Sequence, residues 1–313
     1  MVTDMGRTRT AFDMDTGPRE NLEDALGVLE LILAGLAVVE ALLLVICDGV
    51  GGNLYGERAS NSAVATIRSK LTALLASKDF DKIARALRSE FILSALHDAF
   101  AAANQAILAE SRGDPRLAGM ATTAVCALIV GEYLYLAWVG DSSCFVFGKE
   151  GIRRVTREHT EVQRLIDAGL IGPKEALHHP LAHTITRFLG STNRFAPDTA
   201  ACRLEPGDLV LVCSDGLTDV LDEHEIAAQI GRNQAGQFSF DDLPRRLVRQ
   251  ALDAGTTDNV SVLCCQYRPP ETPHIIDTGR TLTGAYPLAL AKALNRKAKE
   301  NRHVQQSLFT VKA

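Results

Sequence analysis

The chain lacks the cysteine spacing of the common thiol sites. Its 313 residues include seven cysteines, yet no C-x-x-C pair occurs among them. This absence argues against a thiolate zinc site and against a thioredoxin-like redox motif. Most of the cysteines stand in or beside apolar runs, which favours small buried thiols in a reducing compartment and therefore a cytoplasmic protein. They are Cys47, Cys126, Cys144, Cys202, Cys213, Cys264 and Cys265.

The body of the chain also lacks an excess of positive charge. Residues 268–313 hold eight Lys/Arg and three Asp/Glu, a sum of +5, whereas residues 1–267 hold 25 and 35, a sum of −10. An acidic body does not look like a nucleic-acid surface, so no nucleic-acid partner is expected. We predict a globular domain over 1–268 and a basic tail over 269–313 with a helix at 285–302. The tail could be a solvated helix, a docking arm for an acidic partner or a lid on an acidic cleft.

No basic-then-apolar leader opens the chain, but one long apolar run needs explanation. Residues 26–47 are numerous enough to cross a membrane. Glu30 and Glu40 interrupt the run, and it has no Lys/Arg flank. Two buried strands joined near Gly35 fit better, so we expect no membrane partner. We also expect the protein to be a monomer.

Apolar residues make up 46% of the chain, which indicates a globular body with alternating strand and helix patterns. Apolar runs predict strands at Thr8–Phe12, at Leu209–Cys213 and at Val260–Tyr267. Three more runs after Thr122, T-A-V-C-A-L-I-V, Y-L-Y-L-A-W-V and C-F-V-F, predict an antiparallel meander. Helical spacing covers residues 58–76, 81–111, 223–230 and 243–254, with a short helical hairpin at 161–177.

Five aspartates each stand in a short, distinctive turn sequence. They are Asp24 in R-E-N-L-E-D, Asp48 in C-D-G-V-G-G, Asp141 in V-G-D-S, Asp215 in C-S-D-G-L-T-D and Asp258 in T-D-N-V. Three of them follow apolar runs typical of buried strands, where a carboxylate is unfavourable unless it is hydrogen-bonded or binds a cation. Converging carboxylates repel one another unless a cation lies between them. Oxygen ligands favour Mg²⁺, Mn²⁺ or Ca²⁺ over zinc.

Each of these acidic residues also has a purely structural alternative. An aspartate before glycine is a common choice in β-turns, which applies to Asp48 and Asp215. Asp141 and Asp258 are compatible with turn positions as well. Asp219, at the end of C-S-D-G-L-T-D, could be a helix N-cap or a surface charge.

Three histidines lie close together in the sequence, as the ligands of a metal site can. His178, His179 and His183 lie on either side of Pro180 in a segment with loop character. We interpret them as exposed residues or as residues of a flap.

Taken in chain order, the motifs resemble the PPM family of metal-dependent Ser/Thr protein phosphatases, the protein phosphatase 2C type. R-E-N-L-E-D looks like that family's arginine-then-E-D opening, and C-D-G-V-G-G like its D-G-x-G-G. Gly119 with A-T-T, then V-G-D-S-S, E-H-T, I-T-R-F-L-G, the S-D-G segment and T-D-N-V-S-V follow in family order over roughly residues 6–267.

The resemblance implies an α+β fold, a four-layer αββα sandwich of two antiparallel sheets flanked by helices. It also implies two Mn²⁺ or Mg²⁺ ions in a cleft at one end, with Asp48 bridging both and the Gly49 carbonyl as a further ligand. Asp215 and Asp258 would bind one ion, and Glu23 and Asp24 would act on the other. In bacterial members a third, weaker ion is bound, and Asp141 and Asp219 match the residues that hold it.

The resemblance further implies hydrolysis of phosphoserine and phosphothreonine in proteins by a water activated between two cations about 3.5–4 Å apart. Arg19 would hold the substrate phosphate, although a solvated arginine beside an acidic patch is the alternative. Val50 stands where many eukaryotic members have a histidine after D-G, which leaves the general acid open. Ser143 replaces the arginine that usually follows G-D-S. A non-catalytic phosphopeptide-binding relative is the competing function.

Overall fold

The computed structural model describes residues 2–5, 8–34, 38–50, 55–75, 88–176, 179–192 and 195–268. Several predictions fall outside these residues. They concern the basic tail 269–313, the joint near Gly35, the glycines Gly51 and Gly52, His178, and the first part of the helix predicted from residue 81.

Within the residues that the structure describes, eleven strands form two antiparallel sheets. In the first sheet the strand order is β1-β2-β11-β10-β7-β8, and in the second it is β3-β4-β5-β6-β9. The strands are β1 Val2–Met5, β2 Thr8–Asp15, β3 Ala25–Ala34, β4 Val38–Cys47, β5 Ala124–Val130, β6 Tyr133–Val139, β7 Ser143–Gly148, β8 Gly151–Arg154, β9 Asp198–Arg203, β10 Leu209–Cys213 and β11 Val260–Tyr267.

Helices cover the outer face of each sheet. They are α1 Gly56–Leu75, α2 Arg88–Gly113, α3 Glu161–Asp167, α4 Pro173–Ala176, α5 Asp215–Thr218, α6 Glu223–Gln234 and α7 Leu243–Asp253, with single 3₁₀ turns at Pro115–Leu117 and Phe240–Asp242. One apolar cluster joins α1 and α2 to the second sheet, and another joins α5, α6 and α7 to the first. A third cluster fills the space between the sheets. The predicted four-layer αββα sandwich is therefore confirmed.

The described residues of the apolar run 26–47 belong to strands β3 and β4, as expected from the glutamates that interrupt the run. Strand β4 is buried on both faces: Leu43 and Val45 face α1 and α2, whereas Leu42 and Leu44 face the other sheet. A strand buried on both faces reads as an unbroken apolar run. Among the described helices, Ser89–Gly113 is long and apolar enough to span a membrane by length and composition. Its apolar residues pack into the core, which accounts for that composition.

The predicted meander is wrong in one respect. Strands β5 and β6 pair with each other in the second sheet, but β7 pairs with β10 and β8 in the first. The chain changes sheets between Val139 and Ser143, where Gly140 has a φ of +98° and a β-carbon would lie 2.6 Å from the side chain of Thr123. Strands β1, β8 and β9 were not predicted, because each is a short edge strand with little apolar content.

Candidate metal and phosphate site

The predicted acidic residues meet at one end of the sandwich. Asp48 follows the last residue of β4, Asp141 lies just beyond β6, and Asp215 lies just beyond β10. Asp24 directly precedes β3, and Asp258 lies two residues before β11. Antiparallel pairing brings the ends of β4, β6 and β10 to the same edge as the starts of β3 and β11.

A cleft of about 290 Å³ opens at this edge. Six of the residues predicted for the site line it, whereas Glu23, Asp24 and Gly49 lie outside its lining. The lining residues are Arg19, Asp48, Val50, Thr123, Asp141, His183, Ile185, Asp215, Asp219, Thr257 and Asp258.

Asp48 is fixed through its backbone, so its carboxylate remains available to the cleft. The Asp48 carbonyl accepts hydrogen bonds from the Thr123 backbone N–H (2.8 Å) and the Thr122 hydroxyl (2.7 Å). The Asp48 N–H donates to the Thr123 hydroxyl oxygen at 3.1 Å. Burial, with the charges of Asp24 and Asp215, raises the pKa of Asp48 well above its usual range. The Asp48 and Asp215 carboxyl groups lie close enough to influence each other's pKa, so their charges oppose each other unless a proton or a cation lies between them.

Gly49 connects the turn at Asp48 to the loop that contains Glu23 through a backbone hydrogen bond. Its N–H donates to the Glu23 carbonyl at 3.2 Å. A β-carbon at Gly49 would lie 2.5 Å from the Gly56 carbonyl carbon at the start of α1, so no other residue fits without moving the helix. The Glu23 carboxylate lies on the other side of Gly56, about 3 Å from where a β-carbon of Gly56 would be.

Asp24 is buried beneath the cleft. Its Oδ2 accepts hydrogen bonds from the hydroxyls of Ser214 (2.8 Å) and Ser261 (2.6 Å), whereas its Oδ1 is buried with no hydrogen-bond partner. Burial raises the pKa of Asp24 to about 7, and the two serine hydroxyls oppose that rise.

Asp141 and Asp219 both line the cleft. Asp141 is 5% exposed, and its Oδ1 is buried without a partner. Burial and the charge of Asp215 raise the pKa values of both residues, that of Asp219 to about 8. Asp219 follows the last residue of α5 and is not a helix N-cap, which is the role of Asp222 at α6.

Arg19 reaches into the cleft and binds the segment before β11. Its Nη2 donates to Asp258 Oδ2 at 2.6 Å, and its Nε donates to the Thr257 carbonyl at 2.9 Å. Asp258 also accepts the N–H of Asn259 at Oδ1 (2.8 Å), which is the turn contact expected from the structural alternative. The side chain of Arg19 is 42% exposed, so it can reach a ligand as well as Asp258.

Sequence reasoning missed residues that hold the acidic groups in place. Asn259, 3% exposed, joins the Arg19 loop to β11: its Oδ1 accepts the Glu23 N–H at 2.7 Å and its Nδ2 donates to the Thr16 carbonyl at 2.7 Å. Thr123 bonds both Asp48 and Ser142. These residues stand inside or next to the quoted motifs, so the motifs could have identified them. The sequence analysis assigned a function only to the aspartates.

Comparison with known proteins agrees with the geometry. A model of the family described as protein phosphatase 2C matches residues 24–253. The chain belongs to the protein phosphatase 2C family. The serine/threonine protein phosphatase PstP of Mycobacterium tuberculosis is 33% identical over 223 residues, which are 71% of this chain and 40% of PstP. The chain thus aligns with well under half of that relative's length.

Solved structures of relatives confirm the fold. The serine/threonine phosphatase of S. agalactiae has a TM-score of 0.71 and 28% identity, covering 83% of this chain and all of that chain (100%). The catalytic domain of PstP in complex with two manganese ions has a TM-score of 0.65 and 30% identity, covering 84% and 99%.

The side chains that line the cleft of this protein phosphatase 2C chain are of the type that binds divalent cations. Its acidic residues offer only oxygen, and buried Oδ1 atoms of Asp24, Asp141 and Asp215 have no hydrogen-bond partner. Within the described ranges, no three His, Cys, Asp or Glu side chains are gathered into a closed metal-binding group. The carboxylates converge on a shared cleft, and an ion would draw their oxygens together.

The raised pKa values predict that the metal-free protein becomes less stable as pH rises. Asp24 and Asp219 have folded pKa values of about 7 and about 8, against 3.8 ordinarily, so the folded state binds more protons than the unfolded state above pH 4. Stability therefore falls between pH 4 and 8, by up to about 1.4 kcal/mol per pH unit for each extra proton. Thermal unfolding in EDTA at pH 5.5 and 8 measures this. Asp48→Asn should flatten the slope, and a melting temperature that rises with pH in EDTA would contradict the prediction.

Proposed function

We propose that this chain is a metal-dependent phosphatase that hydrolyses phosphoserine and phosphothreonine in proteins. The observation that carries the proposal is the cleft itself, where five aspartates and Arg19 meet at one end of a protein phosphatase 2C fold. An acidic, polar cleft suits a cation-bound phosphate. We further propose a monomeric, cytoplasmic protein that acts in signalling, with Mn²⁺ or Mg²⁺ as its metal and no nucleic-acid or membrane partner.

The chain supplies oxygen ligands from several loops. Asp48 and the Gly49 carbonyl would hold the ions together with Asp215 and Asp258 on one of them, and Glu23 and Asp24 would act on the other. Asp141 and Asp219 would hold a third ion. When bound, such ions neutralise charge on the phosphoryl group and make water a stronger nucleophile near neutral pH.

Arg19 is the residue we assign to the substrate phosphate. A guanidinium carries five N–H donors, and the bonds to Asp258 and Thr257 occupy Nη2 and Nε. The free donors can bind phosphoryl oxygens, and the bond to Asp258 fixes their direction. Val50 has no proton to give to the departing serine or threonine oxygen, so the general acid is another group of the cleft or water.

Arg19→Ala is expected to lower kcat/KM about 10- to 100-fold, because it removes charge-assisted hydrogen bonds worth about 1.5–3 kcal/mol. Arg19→Lys should be intermediate, since lysine keeps the charge and loses the fork. Steady-state kinetics with a phosphothreonine peptide measures the effect. Arg245→Ala, which removes an exposed arginine bonded to Asp242, is the matched control and should change nothing. Equal losses in the Arg19 and Arg245 variants would reject the assignment.

The proposed activity has a direct test. The full chain with Mn²⁺ should release phosphate from phosphoserine and phosphothreonine peptides and from p-nitrophenyl phosphate. EDTA should abolish the release, and added Mn²⁺ should restore it. Tight binding of a phosphopeptide without phosphate release would identify a non-catalytic relative and reject the proposal.

A further inference from the structure

The flap, residues 179–184 between α4 and the I-T-R-F-L-G motif, brings one imidazole to the acidic cleft. His183 belongs to the segment between α4 and the I-T-R-F-L-G motif, and its ring lines the cleft. The His183 Nδ1 lies 3.3 Å from Asp219 Oδ2. The side chain of His183 is 73% exposed, as the sequence predicted. The sequence did not predict that His183 contacts the cleft. His179, on the same flap, instead accepts the Leu181 N–H at its Nδ1 (3.2 Å) and does not line the cleft.

We propose that His183 is a metal ligand, which together with Asp219 and Asp141 binds a first-row transition-metal ion in preference to Mg²⁺. This inference rests on the proposed function, because it assigns a further ligand to the proposed third ion.

The spacing of the paired atoms suits a shared ion. Two ligand atoms at about 2.1 Å from one ion, at octahedral to tetrahedral angles, lie about 3.0–3.4 Å apart. The distance between His183 Nδ1 and Asp219 Oδ2 falls within that range.

A buried carboxylate on the same cleft supplies the third ligand. Asp141 is 5% exposed and lines the cleft, and its Oδ1 has no hydrogen-bond partner. A buried carboxylate oxygen without a partner is unfavourable, and a cation would relieve it. Asp215 lines the cleft together with Asp141, Asp219 and His183.

The chemistry of the ligand determines the metal. Imidazole suits first-row transition metals, whereas Mg²⁺ prefers oxygen and keeps its waters. Among the described residues that line the cleft, His183 is the one imidazole, and no thiol lies there. The imidazole should therefore increase the preference of the cleft for Mn²⁺ over Mg²⁺, compared with a cleft that has oxygen ligands alone.

Pulsed electron paramagnetic resonance of the full chain loaded with Mn²⁺ tests the proposal, because it detects a ¹⁴N nucleus bonded to the ion. The wild-type chain should show the coupling of a coordinated imidazole, His183→Ala should lose it, and the matched control His179→Ala should retain it. In calorimetric titrations His183→Ala should weaken one class of Mn²⁺ sites about tenfold or more. Its effect on Mg²⁺ affinity should be smaller, about threefold at most.

The outcomes separate this inference from the proposed function. Bound Mn²⁺ without a ¹⁴N coupling in the wild type, or a coupling that persists in His183→Ala, overturns the assignment of His183 and leaves the phosphatase proposal standing. No Mn²⁺ binding at all overturns both. Equal weakening of Mn²⁺ and Mg²⁺ in His183→Ala would mean that the ring only positions Asp219, which also rejects the proposal.

Discussion

Asp215→Asn is expected to remove nearly all phosphatase activity while making the metal-free protein more stable. The loss should be at least as large as that from removing one electrostatic stabiliser of a transition state, about 10²–10³-fold. Activity would fall because Asp215 lines the acidic cleft together with Asp48, and an amide is a poorer ligand for a divalent cation.

Stability should rise for the same electrostatic reason. Asp215 is one of several buried carboxylates whose charges raise one another's pKa values, and its Oδ1 has no partner. An isosteric amide removes a charge without opening a cavity. A gain of about 1 kcal/mol corresponds to about 2–4 °C in melting temperature for a domain of this size. When a residue serves function at the expense of stability, its replacement lowers activity and raises stability.

The measurements are initial rates with a phosphopeptide in saturating Mn²⁺ and thermal unfolding in EDTA. Asp253→Asn is the control, because Asp253 is an exposed aspartate that pairs with Arg249 near the end of α7. It should change both readouts little, since exposed ion pairs contribute roughly 0–1 kcal/mol. Retention of more than a tenth of the activity in Asp215→Asn, or a lower melting temperature in EDTA, would show that Asp215 has a structural role instead.

The sequence predicted where most of the acidic residues lie because they are placed at strand ends. A buried strand is visible as an apolar run, and the residue that follows it must lie at the edge of the sheet. Asp48 and Asp215 were therefore placed correctly. The same logic could not say which sheet a strand joins, since β6 and β7 have similar apolar content but pair with different partners.

The rest of the site depends on contacts between residues distant in sequence, which carry no local pattern. Ser214 and Ser261 bond the same oxygen of Asp24, although they lie 190 and 237 residues away from it. His183 lies in a polar segment with no periodicity, and its pairing with Asp219 is a property of how the flap folds back. Hydroxyls and imidazoles are common on surfaces, so single residues of these types carried too little information.

Gly216→Ala is expected to damage both folding and the site, because two backbones touch at this glycine. A β-carbon on Gly216 would lie 2.0 Å from the carbonyl oxygen of Asn259 and 3.0 Å from its carbonyl carbon. Gly216 directly follows Asp215, and Asn259 directly follows Asp258. The contact between the two backbones therefore sets the distance between two of the proposed metal ligands.

A methyl group at Gly216 must push the start of α5 away from β11, since the atom that it meets belongs to the backbone. Overpacking of this kind costs about 1–3 kcal/mol, and a displacement of about 1 Å at a catalytic group can lower the rate about 100-fold. Calorimetric unfolding should show the loss of stability, and initial rates with a phosphopeptide in Mn²⁺ should show the loss of activity.

Gly231→Ala is the matched control for this substitution. Gly231 lies inside α6, and nothing lies within 4 Å of where its β-carbon would be. The same change should there stabilise the protein by about 0.5–1 kcal/mol, because alanine favours a helix interior over glycine, and it should leave activity unchanged. If Gly216→Ala behaved like Gly231→Ala in both assays, the close approach of α5 and β11 could not be what holds Asp215 and Asp258 in register.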